Sequence, residues 1–226
     1  HLDWVGGKDV DDTYPASLPN GVANGVTAEN RYMIGDPLHS KPIAITYGGT
    51  EDSPDITVFF GTNSGFLHAV DAETGVEEFA FLPEDMMPLQ KTLRADSNSV
   101  EHVYGIDGSV TPWVYDHDKD GIIESGDGDF VRFVVGMRRG GRNYYALDVT
   151  DRDAPELMWT IKGGQGSFVE LGQSWSQPVK GAVDINGTIK DVFYFAGGYD
   201  EDQDDTTLRA VDTVGRAIYM VDAATG

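Results

Sequence analysis

Apolar residues in this chain fall in short runs, and Gly, Asn, Asp and Pro separate one run from the next. Short apolar runs rich in β-branched and aromatic residues and bounded by turn formers predict strands rather than helices. Three stretches repeat one pattern. Residues 58–75 read Val-Phe-Phe-Gly-Thr-Asn-Ser-Gly-Phe-Leu-His-Ala-Val-Asp-Ala-Glu-Thr-Gly, and residues 133–150 follow the same plan. A third copy opens at 192–198, is interrupted by an acidic insertion, and resumes at 215–226. Each copy is an apolar strand, a Gly turn, a second apolar strand and a closing Asp. The closing residues are Asp71, Asp148 and Asp222.

Further strand-like runs flank these hairpins: 41–47 and 76–81 around the first, 110–115 and 156–161 around the second, and 177–184 before the third. Repetition at a fixed period signals a stacked or radial fold. Four antiparallel strands per unit are the blade of a β-propeller. The expected class is therefore all-β, a partial and modified β-propeller with four-stranded antiparallel blades. The spacing exceeds the ~40–50 residues of compact blades, so long insertions are expected. One short helix is predicted near 83–95, with Pro83 at its start and Pro88 keeping it short or kinked. Residues 1–30 read as an irregular segment and 31–226 as the propeller domain. Fewer than three units, against the ~4–8 blades of closed propellers, imply part of a longer chain.

Composition narrows the function classes. The 226 residues carry 38 acids against 16 Lys and Arg, a formal charge of −22. That balance disfavours nucleic-acid partners, which need a basic footprint. No apolar stretch approaches the ~20 residues of a spanning helix, so direct membrane insertion is not expected. The absence of Cys removes disulfides, thiolate metal sites and cysteine nucleophiles.

Part of the acidity is patterned. Residues 116–124 read Asp-His-Asp-Lys-Asp-Gly-Ile-Ile-Glu. A hard cation wants six to eight oxygen ligands, and a short loop supplies them when alternate residues point inward. Asp116, Asp118 and Asp120 take positions one, three and five, with Gly121 at the sharp turn. Ile122 offers its carbonyl at seven, Glu124 stands at nine and Asp127 at twelve. The plainer reading is a solvated acidic turn, but three alternate Asp residues with Gly sixth favour Ca2+. Strand-like flanks argue against an EF-hand sensor and for an ion that rigidifies a surface loop. A second patch, Asp200-Glu-Asp-Gln-Asp-Asp205, lacks the Gly and reads as a solvated loop.

Catalytic signatures are weak. No Gly-x-Ser-x-Gly elbow occurs, and Gly163-Gly-Gln-Gly166 lacks the Lys-Ser/Thr of a phosphate loop. His68 reads as a packed or hydrogen-bonded strand residue and His117 as solvent-facing. No enzymatic activity is expected.

Several of these stretches resemble a known family. Asp116-His-Asp-Lys-Asp-Gly121, Val134-Val-Gly-Met-Arg-Arg-Gly-Gly-Arg-Asn-Tyr-Tyr-Ala-Leu-Asp-Val-Thr-Asp151 and Gly215-Arg-Ala-Ile-Tyr-Met-Val-Asp222 are similar to the C-terminal propeller of the PilY family. Gly35-Asp-Pro-Leu-His-Ser-Lys-Pro42 and His102-Val-Tyr-Gly-Ile-Asp-Gly108 extend the resemblance. These are type IV pilus biogenesis factors and tip-associated adhesins. The resemblance implies a calcium-binding modified propeller that supports pilus extension, twitching motility and surface attachment. It implies pilins or pilus assembly proteins and the remainder of the parent chain as partners, at the bacterial cell surface. The implied ligands are Asp116, Asp118, Asp120, the Ile122 carbonyl and Glu124, where the family has Asp. Asp127 rests on spacing alone. Arg138, Arg139 and Arg142 form a basic cluster that either docks an acidic pilin surface or, as the preferred reading, pairs with the chain's own acids. The runner-up function is a quinoprotein dehydrogenase, because Ala69-Val-Asp-Ala-Glu-Thr-Gly75 and Ala146-Leu-Asp-Val-Thr150 resemble its blade endings. Such enzymes enclose a quinone in a complete propeller and commonly carry an adjacent Cys pair.

Overall fold

A computed structural model describes residues 2–11, 30, 34–95, 102–204, 207 and 210–226. Among the described residues eleven strands form three antiparallel sheets. The first holds β1 (Ile43–Thr50), β2 (Ser53–Gly61), β3 (Leu67–Asp71) and β4 (Glu77–Phe81) in that order. The second holds β5 (Val110–Tyr115), β6 (Phe130–Gly136), β7 (Tyr144–Asp148) and β8 (Glu156–Ile161). The third pairs β9 (Val179–Ile185), β10 (Thr188–Ala196) and β11 (Ile218–Asp222), with β10 central. The strands follow the predicted repeat, and the class is all-β and propeller-like, built from successive blade-type meanders.

Two apolar layers separate the three sheets. Ile45, Tyr47, Phe59 and Leu67 of the first sheet meet Val131, Phe133, Val135, Tyr145 and Leu147 of the second. The Phe59 and Phe133 rings stand 5.2 Å apart at 57°. On the other side, Val134, Tyr144, Ala146, Trp159 and Ile161 meet Phe193, Phe195 and Val221 of the third sheet. The Trp159 indole donates to the Ala223 carbonyl across that layer at 3.0 Å. Adjacent residues of β6 and β7 therefore point into different layers. That two-sided burial explains why Phe130-Val-Arg-Phe-Val-Val135 is almost continuously apolar. The outer face of the third sheet is uncovered among the described residues: Val179, Tyr194 and Met220 lie in register across its strands, each exposed.

The repeated acids close turns. Asp71 accepts from the Thr74 N–H at 2.6 Å, Asp148 from the Thr150 N–H at 3.1 Å, and Asp222 from the Ala224 N–H at 3.0 Å. The repeat thus preserves a side-chain turn that ends each third strand.

The predicted helix is present. A 3-10 turn, Glu84–Met86, runs into α2, Met87–Ala95, after a one-turn α1 at Leu2–Val5. Pro88 falls in the first turn of α2, where its missing N–H costs no intrahelical bond. The rest of the N-terminal segment predicted as irregular, 12–29, lies outside the described residues.

Candidate metal centre

The loop from Asp116 to Asp129 joins β5 to β6, the first and second strands of the middle sheet. Its acids organise the backbone. Asp116 accepts from the Lys119 and Gly121 N–H groups at 2.6 and 3.0 Å. Asp118 accepts from the Asp120 N–H at 3.3 Å, and Asp120 from the Ile122 N–H at 2.8 Å. Gly121 adopts φ 84, which its lack of a Cβ makes easy, and Lys119 adopts φ 65. Asp116, Asp118 and Asp120 each offer a carboxylate oxygen, and these oxygens lie within 4.8 Å of one another. The donor set is all oxygen, which fits a hard cation such as Ca2+ and not a soft metal. Glu124 and Asp127 are exposed and stand outside this cluster.

Two features that the spacing did not reveal hold the loop in place. Asp129 is buried and accepts from the His117 N–H at 2.7 Å and the Glu124 N–H at 3.0 Å, tying the two shoulders together. The Glu124 and His117 N–H groups hold its carboxyl below the usual range. The second anchor is a break in the β1–β2 ladder between Thr46 and Gly48. The Tyr47 carbonyl there accepts from the Ile123 N–H at 2.9 Å. Ile123 packs on the core between the first two sheets. Ile122 lies over Gly48, where an added Cβ would sit 3.3 Å from the Ile122 side chain. The loop of the second sheet is thus bolted to the first.

Beside it opens a cavity of about 760 Å³ lined by Tyr47, Asp55, Glu78, residues 122–127 and residues 150–153. Arg152 reaches from the end of the second sheet into the first. It grips both oxygens of Asp55 at 2.7 and 2.6 Å and donates to Glu78 and Thr57 at 3.0 Å each. Its guanidinium lies 4.4 Å from the centre of the Tyr47 ring, and the Tyr47 hydroxyl donates to the Val149 carbonyl at 2.8 Å.

The second acidic patch behaves differently. Asp200 is buried and accepts from the Thr213 hydroxyl and the Val214 and Asp202 N–H groups. Glu201 pairs with Arg142 at 2.9 Å and Asp204 with Arg139 at 3.5 Å. Arg138 stacks on Trp175 and reaches Asp107. The basic cluster therefore pairs with the chain's own acids. His68 is buried between Glu77 and Thr62, as its strand position suggested.

No family model matches the chain. Curated relatives do. The type IV pilus biogenesis factor PilY1 of Pseudomonas aeruginosa (strain UCBPP-PA14) is 27% identical over 206 residues, 81% of this chain and 17% of its own. The PilY1 homologue of Xylella fastidiosa is 38% identical over 122 residues, 54% of this chain and 9% of its own. Over these spans the chain is similar to proteins of the PilY family. It spans less than a fifth of the length of these PilY relatives. The crystal structure of the P. aeruginosa PilY1 C-terminal domain aligns with a TM-score of 0.47 at 27% identity, covering 76% of this chain and 29% of that one. The Gly-Met-Arg-Arg-Gly-Gly stretch of this chain has a physical basis. A Cβ at Gly140 would come within 1.8 Å of the Gly105 carbonyl oxygen, so the backbones meet only without a side chain.

Proposed function

We propose that this chain is a calcium-binding propeller module of a type IV pilus biogenesis protein, which supports pilus extension, twitching motility and surface attachment. The observation that carries the reading is the convergence of Asp116, Asp118 and Asp120 on a loop anchored to two sheets, in a chain whose curated relatives are named as pilus biogenesis factors. Asp116, Asp118 and Asp120 would hold the ion, and the loop motif would add the Ile122 carbonyl and Glu124 as further oxygens. Glu124 and Asp127 both stand outside the cluster, and Asp127 rests on spacing alone. A bound ion would supply positive charge that relieves repulsion among the clustered carboxylates. Its effect would pass through Ile123 to Tyr47, and so to the contact between the first two sheets. The partners are pilins or pilus assembly proteins together with the rest of the parent chain, at the pilus-bearing cell surface. No catalytic role is assigned.

Calorimetric titration with Ca2+ tests the metal. The wild type is expected to bind one equivalent, and Asp120→Ala to bind at least ~10-fold more weakly. An absence of heat for the wild type, or equal affinity in the variant, refutes the reading. The pilus role is tested by restoring twitching in a strain lacking the parent gene. The wild-type gene should restore it, and the Asp120→Ala gene should fail at equal protein level.

A further inference from the structure

We propose that a second cavity, unlike the acidic one beside the metal loop, is a binding site for a carboxylate-bearing ligand. It measures about 500 Å³ and lies where the chain enters the first strands of all three sheets. Residues 38–42 lead into β1, Gly108 and Ser109 into β5, and 174–178 into β9. Pockets of this size take small organic ligands or single side chains.

Its charge runs against the rest of the molecule. The chain has 38 acids, yet among the described residues no carboxylate lines this cavity, whereas His39, Lys41 and Arg138 do. Arg132, Arg142, Arg152 and Arg216 each rest on a carboxylate elsewhere. Lys41 forms no ion pair among the described residues. Beneath the cavity, Asp107 has a side chain that is 0% exposed. It takes the His39 Nδ1 at 2.8 Å and the Arg138 Nη1 at 3.4 Å. One buried acid thus faces an imidazole and a guanidinium, with the Lys41 ammonium in addition, and the cavity keeps surplus positive charge.

The cationic groups are also held in position. The Arg138 guanidinium lies 4.3 Å from the centre of the Trp175 ring. Its backbone adopts φ 51, a left-handed conformation that a residue with a side chain adopts at a cost. The Ser174 hydroxyl accepts from the Arg138 N–H at 3.1 Å. Ser109 accepts from the Lys41 N–H at 3.3 Å, which leaves its own hydroxyl hydrogen to donate. Trp175, 38% exposed, adds a flat apolar wall. A guanidinium fork, an ammonium and a hydroxyl donor around one space are the chemistry that recognises a carboxylate. That group can come from a free small polycarboxylic acid or from an acidic side chain of a bound peptide.

NMR titration in calcium-free buffer separates the two sources. Citrate is added in one arm and a blocked Asp-Glu peptide in the other, up to about 10 mM, enough to saturate a site with a dissociation constant of about 1 mM. The expected result is saturable shifts centred on residues 38–42, Arg138 and Trp175 in at least one arm. Lys41 is exposed and forms no ion pair among the described residues, so Lys41→Glu should keep the folded spectrum and weaken binding at least ~10-fold. Arg138→Lys keeps the charge and loses the fork, and should weaken binding less. Citrate alone assigns a free acid, and peptide alone a protein-borne carboxylate. No saturable shift in either arm, shifts centred elsewhere, or equal affinity in Lys41→Glu overturns the proposal.

Discussion

Arg152→Ala should loosen the contact between the first two sheets. The substitution removes two bonds to Asp55, one to Glu78, one to Thr57 and the stacking on Tyr47. Exposed ion pairs contribute about 0–1 kcal/mol, and breaking a fully buried one costs about 3–5 kcal/mol. Arg152 and Glu78 have side chains 25% and 19% exposed, while Asp55 at 39% is open enough for water to screen it. The cost therefore falls between those limits. Stacking on the ring adds about 0.5–1 kcal/mol, which gives a total near 2–3 kcal/mol. For a chain of this length that corresponds to a drop in Tm of about 5–10 °C. Thermal melts followed by circular dichroism measure it. Arg152→Lys should recover part of the loss, because it keeps the charge and loses the two-pronged grip on Asp55. A double-mutant cycle with Asp55→Asn should show coupling of about 1 kcal/mol. A Tm drop below about 2 °C, or no coupling in the cycle, would mean that the cluster is a surface decoration and not a tie between sheets.

Other expectations follow from named contacts. Asp129→Ala strands the N–H groups of His117 and Glu124, at about 1–3 kcal/mol each, so urea melts should show lower stability and calcium titration a weaker site, although Asp129 lies outside the acid cluster. Phe133→Ala empties the middle of the first apolar layer, where the ring is 1% exposed, and should cost about 3–5 kcal/mol in the same urea assay. Asp71, Asp148 and Asp222 all sit below the usual carboxyl range: the Thr74 hydroxyl and N–H lower Asp71, the Thr150 hydroxyl and Arg132 outweigh burial at Asp148, and the Ala224 N–H lowers Asp222. In the unfolded chain these groups take up protons first, near pH ~3.9, so their stabilising effect is complete above that value and is lost as pH falls through the lower folded-state values. Asp→Asn at all three positions should therefore be less stable than wild type at pH 6, with the gap closing on acidification. A gap that stays constant down to the acid limit refutes that account.

What was legible in the sequence was whatever depends on near neighbours. Alternating aspartates, Gly turns and apolar runs act over a few residues, so the strands, the short helix and the Asp116–Asp118–Asp120 cluster could be read from spacing. Arg152 and Asp55 are 97 positions apart, and nothing local marks them as partners. Asp129 escaped for a different reason. Asp127 and Asp129 flank Gly128, and spacing favoured Asp127 as a ligand. Gly128 adopts φ 91, and the pair divides into an exposed Asp127 and a buried Asp129 that serves the backbone. The cationic cavity was equally hidden, since His39, Asp107 and Arg138 come from three separate stretches of chain.

The break in the β1 ladder at Tyr47 has a consequence for how this chain can vary in length. Between Ile45 and Gly48 the spacing is fixed, because a one-residue change would turn Ile45 and Tyr47 to the wrong face and withdraw the carbonyl that receives Ile123. The Glu51–Asp52 turn that follows carries no such duty, as both residues are exposed outside the paired strands. Insertions and deletions should therefore accumulate at 51–52 and be absent from 45–48, so that two neighbouring stretches of one hairpin tolerate length changes very differently.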